Sequence, residues 1–178
     1  MDNVSKIRRV SRWMVIACNV ILILLPACIL WIWIDFDRFA PLLVRTQGLP
    51  LQPENIGPIN LILGFIVSMV SASVILYGVV RLRRLFLRFQ QGDLFNEPNA
   101  QHLLVFAKML FISVLVSPVA GALLSILLTM NNPPGQRAIT LSIGSNEIAV
   151  LFLSGIFIAV AWIMREGYRL AAENKEFV

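Results

Sequence analysis

The sequence is poor in histidine, in cysteine and in charge, and each shortage removes a class of protein. The only histidine, His102, has no acidic or thiol neighbour in sequence, so it makes neither a metal site nor a convincing general base. The two cysteines, Cys18 and Cys28, fall in one apolar run. Ten positions on a helix set them about 80° apart in azimuth and about 15 Å apart along the axis, too far to bridge. They are small apolar fillers and say nothing of redox compartment. Charged residues make up 14% of the chain, far below the roughly one quarter of a soluble domain, which excludes that class. Nor does a charged residue fall near the centre of any long apolar run. Such a charge is the usual mark of a transport path, a proton relay or an intramembrane active site. Its lack leaves no support for an enzyme, and no cofactor or metal is expected.

What is present is hydrophobic length. Four apolar stretches approach or exceed the roughly 20 residues that cross a hydrocarbon core of about 30 Å. They predict spans at 13–34, 58–80, 109–130 and 147–164, the last being the shortest. The first follows Lys6, Arg8, Arg9 and Arg12, as a secretory signal would. Its run is longer than a signal core and no small-x-small cleavage site follows, so it reads as a retained signal anchor. The whole chain is then one all-α membrane domain, residues 1–178, a bundle of four transmembrane helices.

Lysine and arginine are distributed twelve against three between the two sets of connecting segments. By the positive-inside rule 1–12, 81–108 and 165–178 are cytoplasmic, and 35–57 and 131–146 are periplasmic loops. The basic balance therefore reports orientation in an inner membrane, and no direct binding of nucleic acid is expected. In "RLRRLFLRFQQGDLF", Leu82, Leu85, Phe86 and Phe89 fall on one face of a helix, while Arg81, Arg84 and Arg88 fall on another. The second membrane helix is expected to run on as an amphipathic cytoplasmic extension. Its aromatic face would meet acyl chains or neighbouring helices, and its arginines the anionic lipids of the cytoplasmic leaflet. Gly92 is placed for a left-handed cap, and Asn96 before Pro98 for the start of the next helix.

Within the spans, Gly64, Ser68 and Ala72 of the second helix and Ser113, Ser117, Gly121 and Ser125 of the third recur every four residues. Such stripes let helix backbones approach closely, so these two helices are expected to pack on each other, or one on a second copy. Gly155 and Ala159 repeat the pattern in the fourth helix. Pro26 and Pro118 fall mid-span and predict kinks. Asn19 is the most interior polar residue and is expected to make an interhelical hydrogen bond. Lys108 lies near a span boundary and can snorkel. Outside, Trp31, Trp33, Phe36 and Phe39 form an aromatic belt before the turn-rich "GLPLQPENIGP", and Ala138 to Ile143 alternate weakly like a short strand. Both loops are long enough to fold over the bundle mouth.

After Met164 the fourth helix is expected to extend into the cytoplasm, because Glu166 with Arg169, and Arg169 with Glu173, have the i,i+3 and i,i+4 spacings of helical ion pairs. Ala161, Met164, Tyr168 and Ala171 share one side of it and would pack on the Leu82 to Phe89 face or on the turn at Leu94 and Phe95. That would bring Glu166 and Glu173 near Arg84 or Arg88.

Two segments resemble a known family. "GDLFNEPNAQHL", Gly92 to Leu103, is similar to the Gly-x-Ile-Phe-Thr/Ser-x-x-Asn-x-x-x-Leu signature of the bacterial membrane proteins grouped as domain of unknown function 2975. "MREGYRLAAENKEFV" resembles that family's C-terminal end, and length and four-helix layout agree over essentially the whole chain. Asn96 stands where the family has a hydroxyl residue, another good N-cap. The resemblance implies no activity. It implies proximity to small helix-turn-helix regulators of the Cro type, encoded next to many members. The expectation is a non-enzymatic protein that binds a partner at its cytoplasmic face. Phe95, Asn96, Asn99 and Asn174, with the arginines and Glu166, Arg169 and Glu173, are the candidate docking residues. A transporter of small molecules or lipid, which would need a polar cavity or an intramembrane charge, and a structural subunit or homo-oligomer are the alternatives.

Overall fold

The computed structural model describes residues 2–47, 49–93, 96–141 and 143–176, and all regular structure among them is helical. Four helices are long and apolar enough to cross a membrane: α1 Asp2–Ile34, α3 Pro58–Gln91, α4 Glu97–Thr129 and α5 Ser145–Glu176. Between α1 and α3 lie a further helix, α2 Phe36–Gln47, and one 3-10 turn, Pro53–Asn55. Each long helix measures about 48–51 Å at 1.5 Å per residue, well beyond a hydrocarbon core of about 30 Å. All four therefore have turns outside the bilayer. Pro26 and Pro118 both lie inside continuous helices.

The helices pack in chain order, α1 on α3, α3 on α4 and α4 on α5; among the described residues no other pair of these four packs extensively. The order leaves α1 and α5 as the outer members of the row. Interhelical contacts run from end to end. On α1, Asn19 Oδ1 accepts from Arg83 Nε at 2.7 Å, the interhelical bond expected of that asparagine, and Ser11 O accepts from Gln90 Nε2 at 3.3 Å. Asn60 Nδ2 on α3 donates to Leu127 O of α4 at 2.8 Å. Phe106 of α4 and Phe157 of α5 meet edge to face, 5.5 Å between centroids.

α3 and α4 pack on each other as expected, but the Gly64 end of the α3 stripe does not make that contact. Gly64 faces the indole of Trp33 on α1, and a Cβ there would overlap the ring. Trp33 Nε1 donates to Ser68 Oγ at 3.2 Å. That stripe therefore seats a tryptophan of α1, and the close approach of α3 to α4 falls at Gly78, where a Cβ would lie 3.0 Å from Met109 Cβ. A Cβ added at Gly121 or Gly155 would meet nothing within 4 Å. The buried small residues of α5 are instead Ser154 and Ala161, one face at i,i+7. The period of four was real, but a small residue allows approach without choosing what approaches.

At the end opposite the termini, both connecting segments fold into a cap. Phe36 and Ala40 of α2 bury against Leu128, with Trp33, Leu51 and Ile56 around them. The 35–57 segment thus carries a helix, not among the expected elements, ahead of its turn-rich stretch; its apolar residues Phe36, Phe39, Ala40 and Leu43 have the helical spacing that marks it. Asn132 Nδ2 ties the two segments by donating to Pro50 O at 2.8 Å and Gln136 O at 3.1 Å, and the side chains of Gln52 and Gln136 are hydrogen-bonded to each other.

The expected strand at Ala138 to Ile143 is absent among the described residues of that stretch. Its backbone bonds to hydroxyls of α4 instead of to another strand. Ala138 N donates to Thr129 Oγ1 at 3.1 Å and Thr140 N to Ser125 Oγ at 3.0 Å. The chain thus runs back down α4 before α5 begins. Glu147, in the first turn of α5, lies beside Ser117, whose Oγ donates to Glu147 Oε1 at 3.5 Å. From Thr129 to Ser117 is about 18 Å of helix. Ser117 lies near the middle of the apolar stretch 109–130, so Glu147, at the start of α5's own apolar stretch, stands level with the middle of α4's.

Candidate functional site

The end carrying both termini holds most of the expected docking residues. α3 closes in a Schellman motif: Gly92 has φ 93°, its N–H donates to Phe89 O, and Asp93 N–H donates to Arg88 O, each at 3.2 Å. Only a residue tolerant of positive φ fits there. Asn96 then caps α4, its side chain accepting from Asn99 N at 3.1 Å, with Glu97 favourable in the first turn. Asn99 is fully buried, and its Nδ2 donates to Asp93 O at 2.6 Å. Leu103, one turn on, enters a core with Leu85, Phe106 and Ala161.

The family-like segment is therefore a clasp that turns α3 into α4. Asn99, named as a docking residue, offers no surface; it acts inside the protein. Phe95 lies outside the described residues, as does the side chain of Asn174.

The arginines divide by role. Arg81 lies over the Tyr77 ring, 5.0 Å from its centroid, with Nε 3.2 Å from the hydroxyl. Arg83, which the sequence pattern does not single out, is the one that reaches α1. Arg84 is exposed and Arg88 half-buried, and burial, then the positive charges of Arg88, Arg81 and Arg84, hold the His102 imidazole below its ordinary range. Leu85 is buried in one cluster with Leu103, Phe106 and Ala161, and Leu82, Phe89 and Met164 pack against that cluster. The meeting of the two extensions stops there.

Past Met164 the described side chains of α5 are exposed. Arg169 pairs with Glu166 at 2.7 Å and with Glu173 at 3.5 Å, both within its own helix. The expected pairs with Arg84 and Arg88 do not form among the described residues. The interhelical ion pair is Arg165 with Glu97 at 3.9 Å. Glu166 and Glu173 follow the spacing of their own helix, and α5 packs on α4 rather than on α3. Between α4 and α5 opens a cleft of about 430 Å³ lined by Glu97, Trp162, Arg165, Glu166, Tyr168 and Arg169. Trp162 and Arg165 were not among the expected docking residues; the signal for them is an aromatic and a basic residue closing an apolar stretch, and nothing in the sequence places them on a wall with Glu97.

Four apolar spans, two buried clusters and no strand among the described residues define a multi-pass α-helical membrane protein. The chain belongs to the family described as "Protein of unknown function (DUF2975)", whose sequence model matches residues 36–178. The match begins at α2, so α1 lies outside it, and the likeness is narrower than the whole-chain resemblance expected. Comparison with curated proteins and with solved structures finds no match.

Proposed function

We propose that this is a non-enzymatic protein of the bacterial inner membrane, with both termini cytoplasmic, that docks a soluble protein in the cleft between α4 and α5. The exposed end of α5 carries the reading. Beyond the apolar stretch 147–164, Tyr168 and Leu170 are 39% and 51% exposed beside a cleft whose charged residues are both acidic and basic. Exposed aromatic and apolar side chains set among charges are the composition of a recognition surface. A small helix-turn-helix regulator is the partner the family resemblance points to. Arg84 and Arg88 hold this end against anionic lipid.

The test is a photo-crosslinking residue at Tyr168, with a second at Gln136 as control, followed by recovery from native membranes. A soluble protein attached only at Tyr168 is the expected product. The Glu97→Gln, Arg165→Gln pair should lower its yield while leaving the melting temperature unchanged, because an exposed ion pair contributes at most about 1 kcal/mol. An integral protein attached at Tyr168 would make the chain a subunit of a membrane complex. No adduct at Tyr168 would overturn docking.

A further inference from the structure

Glu147 lines an open cavity of about 430 Å³ between α1, α3 and α4, in the size range of small-molecule sites. Three hydroxyls, Ser68, Ser71 and Ser117, supply its polar lining with the carboxylate. Leu25, Ile29, Ile75 and Leu124 supply its apolar wall. Gly121 lines it too, which is why that glycine has no close neighbour. No basic residue lines the cavity, and among the described residues none pairs with Glu147.

A carboxylate level with the middle of an apolar stretch is costly to hold in an apolar layer, and such residues mark sites where the charge is used. One use is local. Glu147 Oε2 accepts from Gly144 N at 2.9 Å and so caps the start of α5. That bond needs an acceptor, which an amide would provide, and does not need a charge. The second oxygen faces Ser117 at the cavity.

We propose that this cavity binds an amphiphilic amine in its protonated form, the ammonium on Glu147 and the hydroxyls, the hydrocarbon part along Leu25, Ile29, Ile75 and Leu124. The chemistry argues against a bare metal ion: one carboxylate and a few hydroxyls fall short of the six to eight oxygens calcium takes, and the apolar wall cannot hold a hydrated shell. An ammonium with a hydrocarbon tail meets both surfaces. Ser117 Oγ can accept a hydrogen bond from the ammonium while its own O–H donates to Glu147, and Ser68 and Ser71 are further acceptors on the facing helix. The site is separate from the cleft at the other end of the bundle, and its failure or success leaves docking there untouched.

The experiment is equilibrium binding of radiolabelled octylamine to the full chain in detergent. Saturable binding is expected at one site per chain, displaced by unlabelled octylamine and left in place by octan-1-ol. Glu147→Gln, which keeps the cap on Gly144 and should keep the wild-type melting temperature, should weaken binding at least tenfold. Ser117→Ala should weaken it several-fold, and Gly121→Leu, which fills the cavity, should abolish it with the fold intact. Equal binding in wild type and Glu147→Gln would overturn the site, because the amine would then be dissolving in the micelle. Displacement by sodium as readily as by octylamine would assign the carboxylate to an inorganic cation and overturn the amine.

Discussion

The indole of Trp33 lies across Gly64, so close that no side chain fits between them. The same ring stacks on Phe36 at 5.4 Å and donates to Ser68, so one residue joins α1, α2 and α3. Gly64→Leu should push the indole out and destabilise the fold by about 1–3 kcal/mol or more, as overpacking does. A lowered melting temperature in detergent, with a shift in tryptophan emission, is the expected result. Gly121→Ala, facing open space, should leave both unchanged.

The clasp between α3 and α4 should be sensitive to single atoms. Asn99→Ala removes the amide that satisfies Asp93 O and should cost about 1–3 kcal/mol. Asn96→Ala loses the cap and should cost about 1 kcal/mol, whereas Asn96→Ser keeps an acceptor and should match wild type. Thermal melts of the three variants check the order.

Asn19 and Arg83 are joined across α1 and α3. Arg83→Leu leaves the Asn19 oxygen without its donor, and interhelical polar bonds in membranes average about 0.6 kcal/mol with a maximum near 1.7. The expected loss of stability is therefore small, below that of Gly64→Leu, and Arg84→Leu on the exposed face should lose nothing. A larger loss for Arg84→Leu would reassign the two arginines.

Orientation has a direct check. With Cys18 and Cys28 replaced by alanine, cysteines at Gln52 and Gln136 should react with an impermeant thiol reagent applied to spheroplasts, and one at Gln91 should not. Because the Gln52 and Gln136 side chains touch, a short bifunctional reagent should link that pair. Labelling at Gln91 alone would invert the protein in its membrane.

Much of this architecture was legible locally. The four spans follow from apolar length, the Gly92 turn and the Asn96 start from residue types that suit those backbone geometries, and the Glu166, Arg169 and Glu173 pairs from helical spacing. The caps and pairs act within about one turn of chain and the spans within one continuous run of about 20 residues, and each has its helix in the structure. The candidate docking set was legible only as a surface pattern, and it failed where burial intervened: Asn99 has the composition of a surface residue and sits at zero exposure.

Sequence alone determined that the chain is a helical membrane protein, where its long helices lie and how one of their turns is made, because hydrophobic length and capping depend on neighbours in the chain. Tertiary structure decided which residue each small side chain meets and how deep each connecting segment lies. The Gly64 stripe received a tryptophan because α1, not α4, passes over it. Glu147 came to rest beside Ser117 because Thr129 and Ser125 hold the returning backbone along α4. A small residue, a hydroxyl or a carboxylate states what it can accept; only the packing of distant helices supplies the partner.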